Sequence, residues 1–231
     1  VKVPRPRAVL FDLFDTLIRA ITTDGSEPPT WEALGIPIEA WQRRWFDNQD
    51  GRAVGRVADP VEALRMVVHD IDPTIPMERI REASARRVLR FERSLLETDA
   101  AIVAAVERLR ARGVRTALVS NACAGEVEAW PRSPFAPHFD AAVFSCHVGV
   151  AKPDRAIFDT ALARLGVAAS DAIFVGDGAS DEHRGARAAG LRTVLVTRLA
   201  HDRWAHAMPE RRKIVDWTFT DVPEFVEAIE P

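Results

Sequence analysis

Ala8-Val9-Leu10-Phe11-Asp12-Leu13-Phe14-Asp15-Thr16-Leu17 is the stretch that decides the fold. Ala8–Phe11 is a short unbroken apolar run, the pattern of a strand buried on both faces of a parallel sheet. Asp12 follows at its end. In open α/β sheets, ligands bind outside the carboxyl ends of the strands. A carboxylate there is placed at a site rather than in the core. Phe14, two residues on, is an aromatic where a second carboxylate would be useful chemically.

Working outward, five more segments read as strands: Arg115–Ser120, Ala141–Ser145, Ala172–Val175, Thr193–Thr197 and Trp217–Thr220. They are rich in β-branched and aromatic residues and bounded mostly by Gly, Asp or Asn. Helical periodicity fills several gaps: Ala100–Arg112, Pro153–Leu165, and His183–Ala189 ahead of Gly190. Alternating strands and helices predict an α/β fold, a doubly wound and mostly parallel sheet with helices on both faces. Right-handed crossovers then bring the strand C-termini to one rim.

The stretch after the first strand breaks this rhythm. From Arg19 to Leu96 no convincing strand occurs. Trp41–Asp47, Pro60–His69 and Pro76–Leu95 read as helices, with Trp31, Trp41 and Trp45 near their start. So long a helical stretch exceeds any crossover. It predicts a small all-helical domain, residues 19–96, inserted into a core formed by 1–18 plus 97–231. Asp24-Gly25-Ser26-Glu27-Pro28-Pro29 is turn-forming and reads as a hinge or loop.

Bulk properties are those of an ordinary globular chain: 231 residues, 47% hydrophobic and 28% charged, with net charge −3. No global positive field draws nucleic acid. No apolar run reaches the ~18 residues of a membrane span. Asp12 and Asp15 interrupt the apolar stretch that a signal peptide would need. Two cysteines, Cys123 and Cys146, lack a zinc spacing and are too few for a disulfide scaffold. These features set the expectation of a cytoplasmic enzyme with free thiols, a monomer or homodimer, with no nucleic-acid or membrane partner.

Four polar segments fall at or beyond strand ends and so converge on the rim. They are Asp12; Ser120-Asn121; Lys152-Pro153-Asp154; and Gly176-Asp177-Gly178 with Asp181 and Glu182. Together they offer an attacking carboxylate, hydroxyl and amide donors, an ammonium and an acidic cluster. Phosphoryl transfer needs these types: a nucleophile, donors for equatorial oxygens, and cations among anions.

In this order and spacing the four segments resemble the motifs of the haloacid dehalogenase-like hydrolase superfamily. Asp12 with Thr16 is similar to the first motif and Ser120 to the second. Lys152 in Gly149-Val150-Ala151-Lys152-Pro153-Asp154 is similar to the third. Asp177 with Asp181 and Glu182 is similar to the fourth, and Gly185-Ala186-Arg187-Ala188-Ala189-Gly190 to its continuation. The helical insert resembles the small cap of subclass I. The resemblance implies a Rossmannoid core and a small phosphorylated metabolite as substrate. Asp12 would attack phosphorus and form an aspartyl-phosphate. Thr16, Ser120, Asn121 and Lys152 would hold phosphoryl oxygens. Mg2+ would be held by Asp12, the backbone carbonyl of Phe14, and Asp177, with Asp181 or Glu182 assisting.

Phe14 departs from this pattern. Phosphatases of the family usually carry Asp there as general acid and base, a group that contributes roughly 10²–10⁴ in rate. The family's 2-haloacid dehalogenases also have an aromatic, but use no metal and lack the acidic fourth motif. Two rival readings therefore stand beside the phosphatase: a metal-free dehalogenase, and a weakened site retained for binding or regulation. The missing acid has three replacements: a good leaving group such as an acyl phosphate, Asp15, or a cap residue such as His69 or an acid within 47–50. Asp15 reads as structural. Arg52 and Arg56 read as solvated loop arginines, with contact to an anionic substrate as the alternative. The tryptophans read as packing residues, Cys123 as a small buried hydrophobe, and His183 as a surface residue.

Overall fold

The structure, a computed structural model, describes residues 1–20, 28–47, 51–200 and 205–231. Six parallel strands form one sheet in the order β3-β2-β1-β4-β5-β6. They are β1 (Ala8–Phe11), β2 (Arg115–Ser120), β3 (Ala141–Phe144), β4 (Ala172–Gly176), β5 (Arg192–Val196) and β6 (Trp217–Phe219). The chain winds outward from β1 through β2 to β3, then returns to β4 on the other side and winds outward again. The switch point thus lies between β1 and β4, where a crevice opens.

Residue alternation along β1 explains the layers. Val9 and Phe11 join one hydrophobic cluster, with Ile102, Val106 and Leu109 of helix α5 (Ala100–Ala111) and Phe225 of the C-terminal helix Val222–Ala228. Ala8 and Leu10 join another, with Ile157, Phe158 and Leu162 of helix α7 (Arg155–Leu165) and Ala186 of helix α8 (Glu182–Ala188). Both faces of the strand are buried, which is why the run contains no polar residue.

Between β1 and α5 the described residues contain helices and no named strand: α1 (Thr30–Leu34), α2 (Ile38–Trp45), α3 (Pro60–Ile71) and α4 (Met77–Leu96). They carry a cluster of their own around Leu34, Trp41, Leu64, Val67 and Ile80. Helix α4, about 30 Å long for its 20 residues, ties the two regions together. Ile80 sits in the helical cluster, whereas Leu95 belongs to the core. At a second junction Gly55 abuts helix α6 (Ser145–Val148); a β-carbon there would lie 2.0 Å from the Cys146 carbonyl oxygen.

Element ends shift where a side chain caps. Helix α7 begins at Arg155 rather than Pro153, because the Asp154 carboxylate accepts the Ala156 N–H. The strand expected to run through Ser145 stops at Phe144, since Ser145 opens α6. Of the expected hinge 24–29, residues 24–27 lie outside the described residues, as do 48–50. No helix among the described residues is long and apolar enough to cross a membrane.

Candidate active site

Asp12 continues the β1–β4 ladder by donating its N–H to Val175 O at 2.9 Å. The chain then turns tightly. Leu17 N–H and Ile18 N–H both return to Leu13 O, and Asp15 adopts a left-handed conformation with φ 59°. This turn sends the Thr16 hydroxyl back to donate to Asp12 Oδ2 at 3.0 Å. Asp15 is buried and accepts the Ala20 N–H at 3.0 Å, which fits its structural reading.

On the other side of the switch point, Asp177 follows β4. Its carboxylate accepts from Ala179 N–H and from Arg211 Nη1, both at 3.0 Å, and Arg211 also donates to the Asp177 carbonyl. The two acids that follow part company. Asp181, left-handed at φ 51°, is exposed and pairs with Arg184 at 3.0 Å. Glu182 is buried and turns inward, where Oε1 accepts the Gly178 N–H at 2.8 Å. A β-carbon on Gly176 would lie 2.1 Å from that oxygen, so glycine is what lets Glu182 in. Ligand atoms of Asp12, Asp177 and Glu182 all lie within 4.8 Å of one another.

Lys152 closes the cluster. Its ammonium donates to Asp12 Oδ1 and, at 2.6 Å, to Glu182 Oε2. The Asn121 side chain grips the Lys152 backbone at both ends, donating to Lys152 O at 2.9 Å and accepting its N–H at 2.7 Å. Asn121 therefore positions Lys152. Ser120 is fully enclosed, its hydroxyl 3.4 Å from Asn121 O. The adjoining loop is pinned by Ser145, whose hydroxyl accepts the Ala122 N–H at 2.9 Å.

Electrostatics follow from burial. Removal from water, with Asp12 nearby, pushes Asp177 up to about 6, although Arg211 opposes this. Burial and the neighbouring carboxylates raise Glu182, with Lys152 opposing. For Lys152, burial favours loss of the proton, but the Asp12 and Glu182 charges outweigh it and hold the ammonium above its ordinary value. The set is three buried carboxylates matched by the buried Lys152 and the half-buried Arg211, dense in charge but compensated.

Several expectations change. His183 is not a surface residue: it is fully buried against Phe174, bonds Val194 O through Nε2 at 3.0 Å, and is lowered by burial to about 4. Arg52 is not a solvated loop arginine; it is buried and donates to the carbonyls of Trp45 and Asp47. His69 bonds Ile75 O at 3.2 Å within the helical region and does not line the cavity above Asp12. Cys123 is free and buried, as expected, and burial raises its thiol. Arg211 was not anticipated. It reaches the site from the short helix Met208–Arg212, a pairing that sequence separation hides.

Above the cluster lies a cavity of about 350 Å3 whose floor is Asp12, Lys152, Asp177 and Glu182. Its walls include Asn121 and Cys123 from the core, and Trp31, Trp41 and Trp45 from the helical region. Phe14 is half-buried on this wall and meets Phe91 edge-on at 5.3 Å. The tryptophans thus pack and face the cavity at once.

Known proteins resemble the chain in sequence over part of its length and in fold over nearly all of it. The chain is 38% identical over 104 residues, 45% of its length, to a phosphoserine phosphatase of Thermus thermophilus, of which the match covers 42%. It is 27% identical over 126 residues, 53% of its length, to a glyceraldehyde 3-phosphate phosphatase of Pyrococcus furiosus, of which the match covers 50%. The matched stretch thus spans about half the length of these relatives or less. A solved dehalogenase structure, described as an intermediate complex, superposes with a TM-score of 0.72, covering 99% of both chains at 20% identity. That likeness shows the shared fold. The model of the haloacid dehalogenase-like hydrolase family matches residues 6–190. With that match over most of its length, the chain belongs to the haloacid dehalogenase-like hydrolases.

Proposed function

We propose that this hydrolase is a Mg2+-dependent phosphatase of a small molecule, with Asp12 as nucleophile. The observation that carries the reading is the buried cluster of Asp12, Asp177 and Glu182, whose ligand atoms gather within 4.8 Å at the strand ends. An all-oxygen, acidic donor set suits a hard cation such as Mg2+. A carbon–halogen displacement has no use for such a set. Asp12, Asp177, Glu182 and the Phe14 carbonyl would hold the ion, which would neutralise charge on the phosphoryl oxygens.

The chain's own residues supply the rest. Thr16 holds Asp12 Oδ2 and Lys152 holds Oδ1, so the carboxylate is fixed in orientation for attack on phosphorus. Lys152, held by Asn121, pairs with Asp12 and faces the developing negative charge. Ser120, at the end of β2, is the further donor proposed for the phosphoryl oxygens, while the Asn121 amide acts by holding the Lys152 backbone. Water then attacks the aspartyl-phosphate and returns the Asp12 carboxylate. The helices between β1 and β2 serve as a cap that covers the reaction and selects substrate. The two free thiols suit a reducing, cytoplasmic setting.

One observation favours a second reading: Phe14, an aromatic beside the nucleophile, suits a metal-free 2-haloacid dehalogenase. A phosphate-release screen that includes acyl phosphates, with and without Mg2+, separates the two. The phosphatase gives Mg2+-dependent release that Asp12→Asn abolishes. Release unaltered in Asp12→Asn would remove the nucleophile assignment. Halide release insensitive to EDTA would install the dehalogenase instead.

A further inference from the structure

The cavity over Asp12 has two unlike ends. Its floor is ionic. Its opposite wall is aromatic, with Trp41 and Trp45 stacked at 5.1 Å and 11° and Trp31 leaning on Trp41 at 6.3 Å. Ile38 and Phe46, 40% and 48% exposed, belong to the same lining. They are two of the four large hydrophobics left exposed among the described residues, so apolar surface is concentrated where a ligand would enter. The charged side chains of the lining beyond the floor are already matched. Asp15 accepts the Ala20 N–H. Arg87 pairs with Glu126 and lies over the rings of Trp45 at 4.0 Å and Phe91 at 4.6 Å. Among the described residues the wall is therefore mostly apolar, and its charged side chains are already engaged.

The chemistry at the floor narrows the choice independently. Phe14 has no proton to give the leaving oxygen. His69 is tied to Ile75 O away from the cavity, and Asp15 is tied to Ala20. An alkoxide, as basic as hydroxide with a conjugate acid near ~15.7, leaves poorly without a proton. A phenolate, with a conjugate acid near ~10, leaves without one.

Building on the phosphatase reading, we propose that the substrates are aryl phosphate monoesters, with the phosphoryl group on Asp12 and an uncharged ring system against the tryptophan wall. A volume of about 350 Å3 holds a body of one or two fused rings with its phosphate. In the first step the Asp12 Oδ–P bond forms and the P–O(aryl) bond breaks, the phenolate leaving with the electron pair. In the second, water attacks phosphorus and Asp12 departs as carboxylate. The proton lost by that water balances the one the phenolate takes from solvent.

The test compares kcat/KM of the full chain, with Mg2+, for phenyl, naphthyl, benzyl and glycerol phosphates, with acetyl phosphate as a control that needs neither ring nor acid. Phenyl phosphate is expected to exceed benzyl phosphate, the same ring on an alkoxide, by about 10²-fold or more. Benzyl phosphate is expected to exceed glycerol phosphate by about tenfold or more. Phe14→Asp should raise benzyl phosphate turnover far more than phenyl phosphate turnover. Phe46→Ala, an exposed position that spares the fold, should raise KM for naphthyl phosphate by about tenfold, much more than for acetyl phosphate. It should also weaken quenching of tryptophan fluorescence by phenylphosphonate. If glycerol phosphate or phosphoserine outpaces phenyl phosphate while Asp12→Asn still abolishes release, the aryl assignment is overturned and the phosphatase stands. If no ester and no acetyl phosphate is cleaved above the Asp12→Asn background, the phosphatase reading falls and the aryl assignment with it.

Discussion

Replacing Lys152 by methionine isolates what holds the acidic cluster together. The ammonium bridges Asp12 and Glu182, reaching Glu182 Oε2 at 2.6 Å, and all three side chains are buried. Without it, carboxylate oxygens within 4.8 Å of one another face each other directly. At an effective dielectric of about 20 two unit charges at that separation repel by about 3.5 kcal/mol. That agrees with the roughly 3–5 kcal/mol lost when one member of a buried ion pair is removed. For a chain of this size the melting temperature should fall by roughly 2–4 °C per kcal/mol. The deficit should depend on pH. Asp177 and Glu182 are raised in the folded protein, and in Lys152→Met Glu182 loses the charge that opposes this, so the proton-linked stability is present at low pH and lost as pH rises. Urea denaturation at pH 7 and pH 5 reads this directly: the gap from wild type should narrow at pH 5. Millimolar Mg2+ at pH 7 should narrow it too. Equal stability of the two proteins at pH 7, or a gap unchanged at pH 5, would refute the account of a lysine-compensated acidic cluster. A gap that Mg2+ leaves untouched would refute metal binding there.

Three further outcomes are expected. Asp12→Asn should lower phosphate release by roughly 10⁴-fold or more while leaving circular dichroism intact; residual activity within tenfold of wild type would exclude Asp12 as nucleophile. Gly185→Ala places a methyl carbon 2.2 Å from Pro153 O, where helix α8 crosses the segment carrying Lys152. The shift should cost about 1–3 kcal/mol and reduce kcat, because Glu182 and Lys152 ride on the two displaced pieces; a variant matching wild type in both urea midpoint and kcat would show the contact is not tight. His183, lowered by burial from 6.5 to about 4, stays neutral while its unfolded counterpart takes up a proton. It thus contributes stability above pH 6.5 that is lost as pH falls to about 4, up to about 3 kcal/mol. His183→Gln should flatten that acid limb in a difference plot of unfolding free energy, and an unchanged limb would contradict the assignment.

Much of the site was legible because its central parts sit at or beyond strand ends. Asp12, Ser120 and Asp177 close or follow apolar runs whose period and flanks mark them as strands, Lys152 lies beyond β3 after α6, and a parallel sheet sends such positions to one rim. Glu182 against Asp181 could not be separated in one dimension. Adjacent residues differ by a rotation, and the left-handed turn at Ser180 and Asp181 decides which of them faces inward. Asn121 read as a ligand for phosphate, but its amide is fitted to the Lys152 backbone, a pairing across 31 residues. His183 and Arg52 read as solvent-facing because polar residues usually are; each found buried partners instead.

The sequence alone determined the class of fold, the helical stretch after β1, and the convergence of Asp12 and Lys152 on one rim. These rest on local pattern, where hydrophobic period and turn residues act over a few positions. It also fixed the absence of an acid at Phe14. Tertiary structure decided what surrounds them. The Arg211–Asp177 and Arg87–Glu126 pairs join residues far apart in the chain, and the tryptophans of 31–45 meet Asp12 only across the cavity. Such contacts depend on how helices dock over the strand ends, and local sequence carries no record of that geometry. The polar residues of the cavity floor were therefore legible along the chain, and what surrounds them only in the fold.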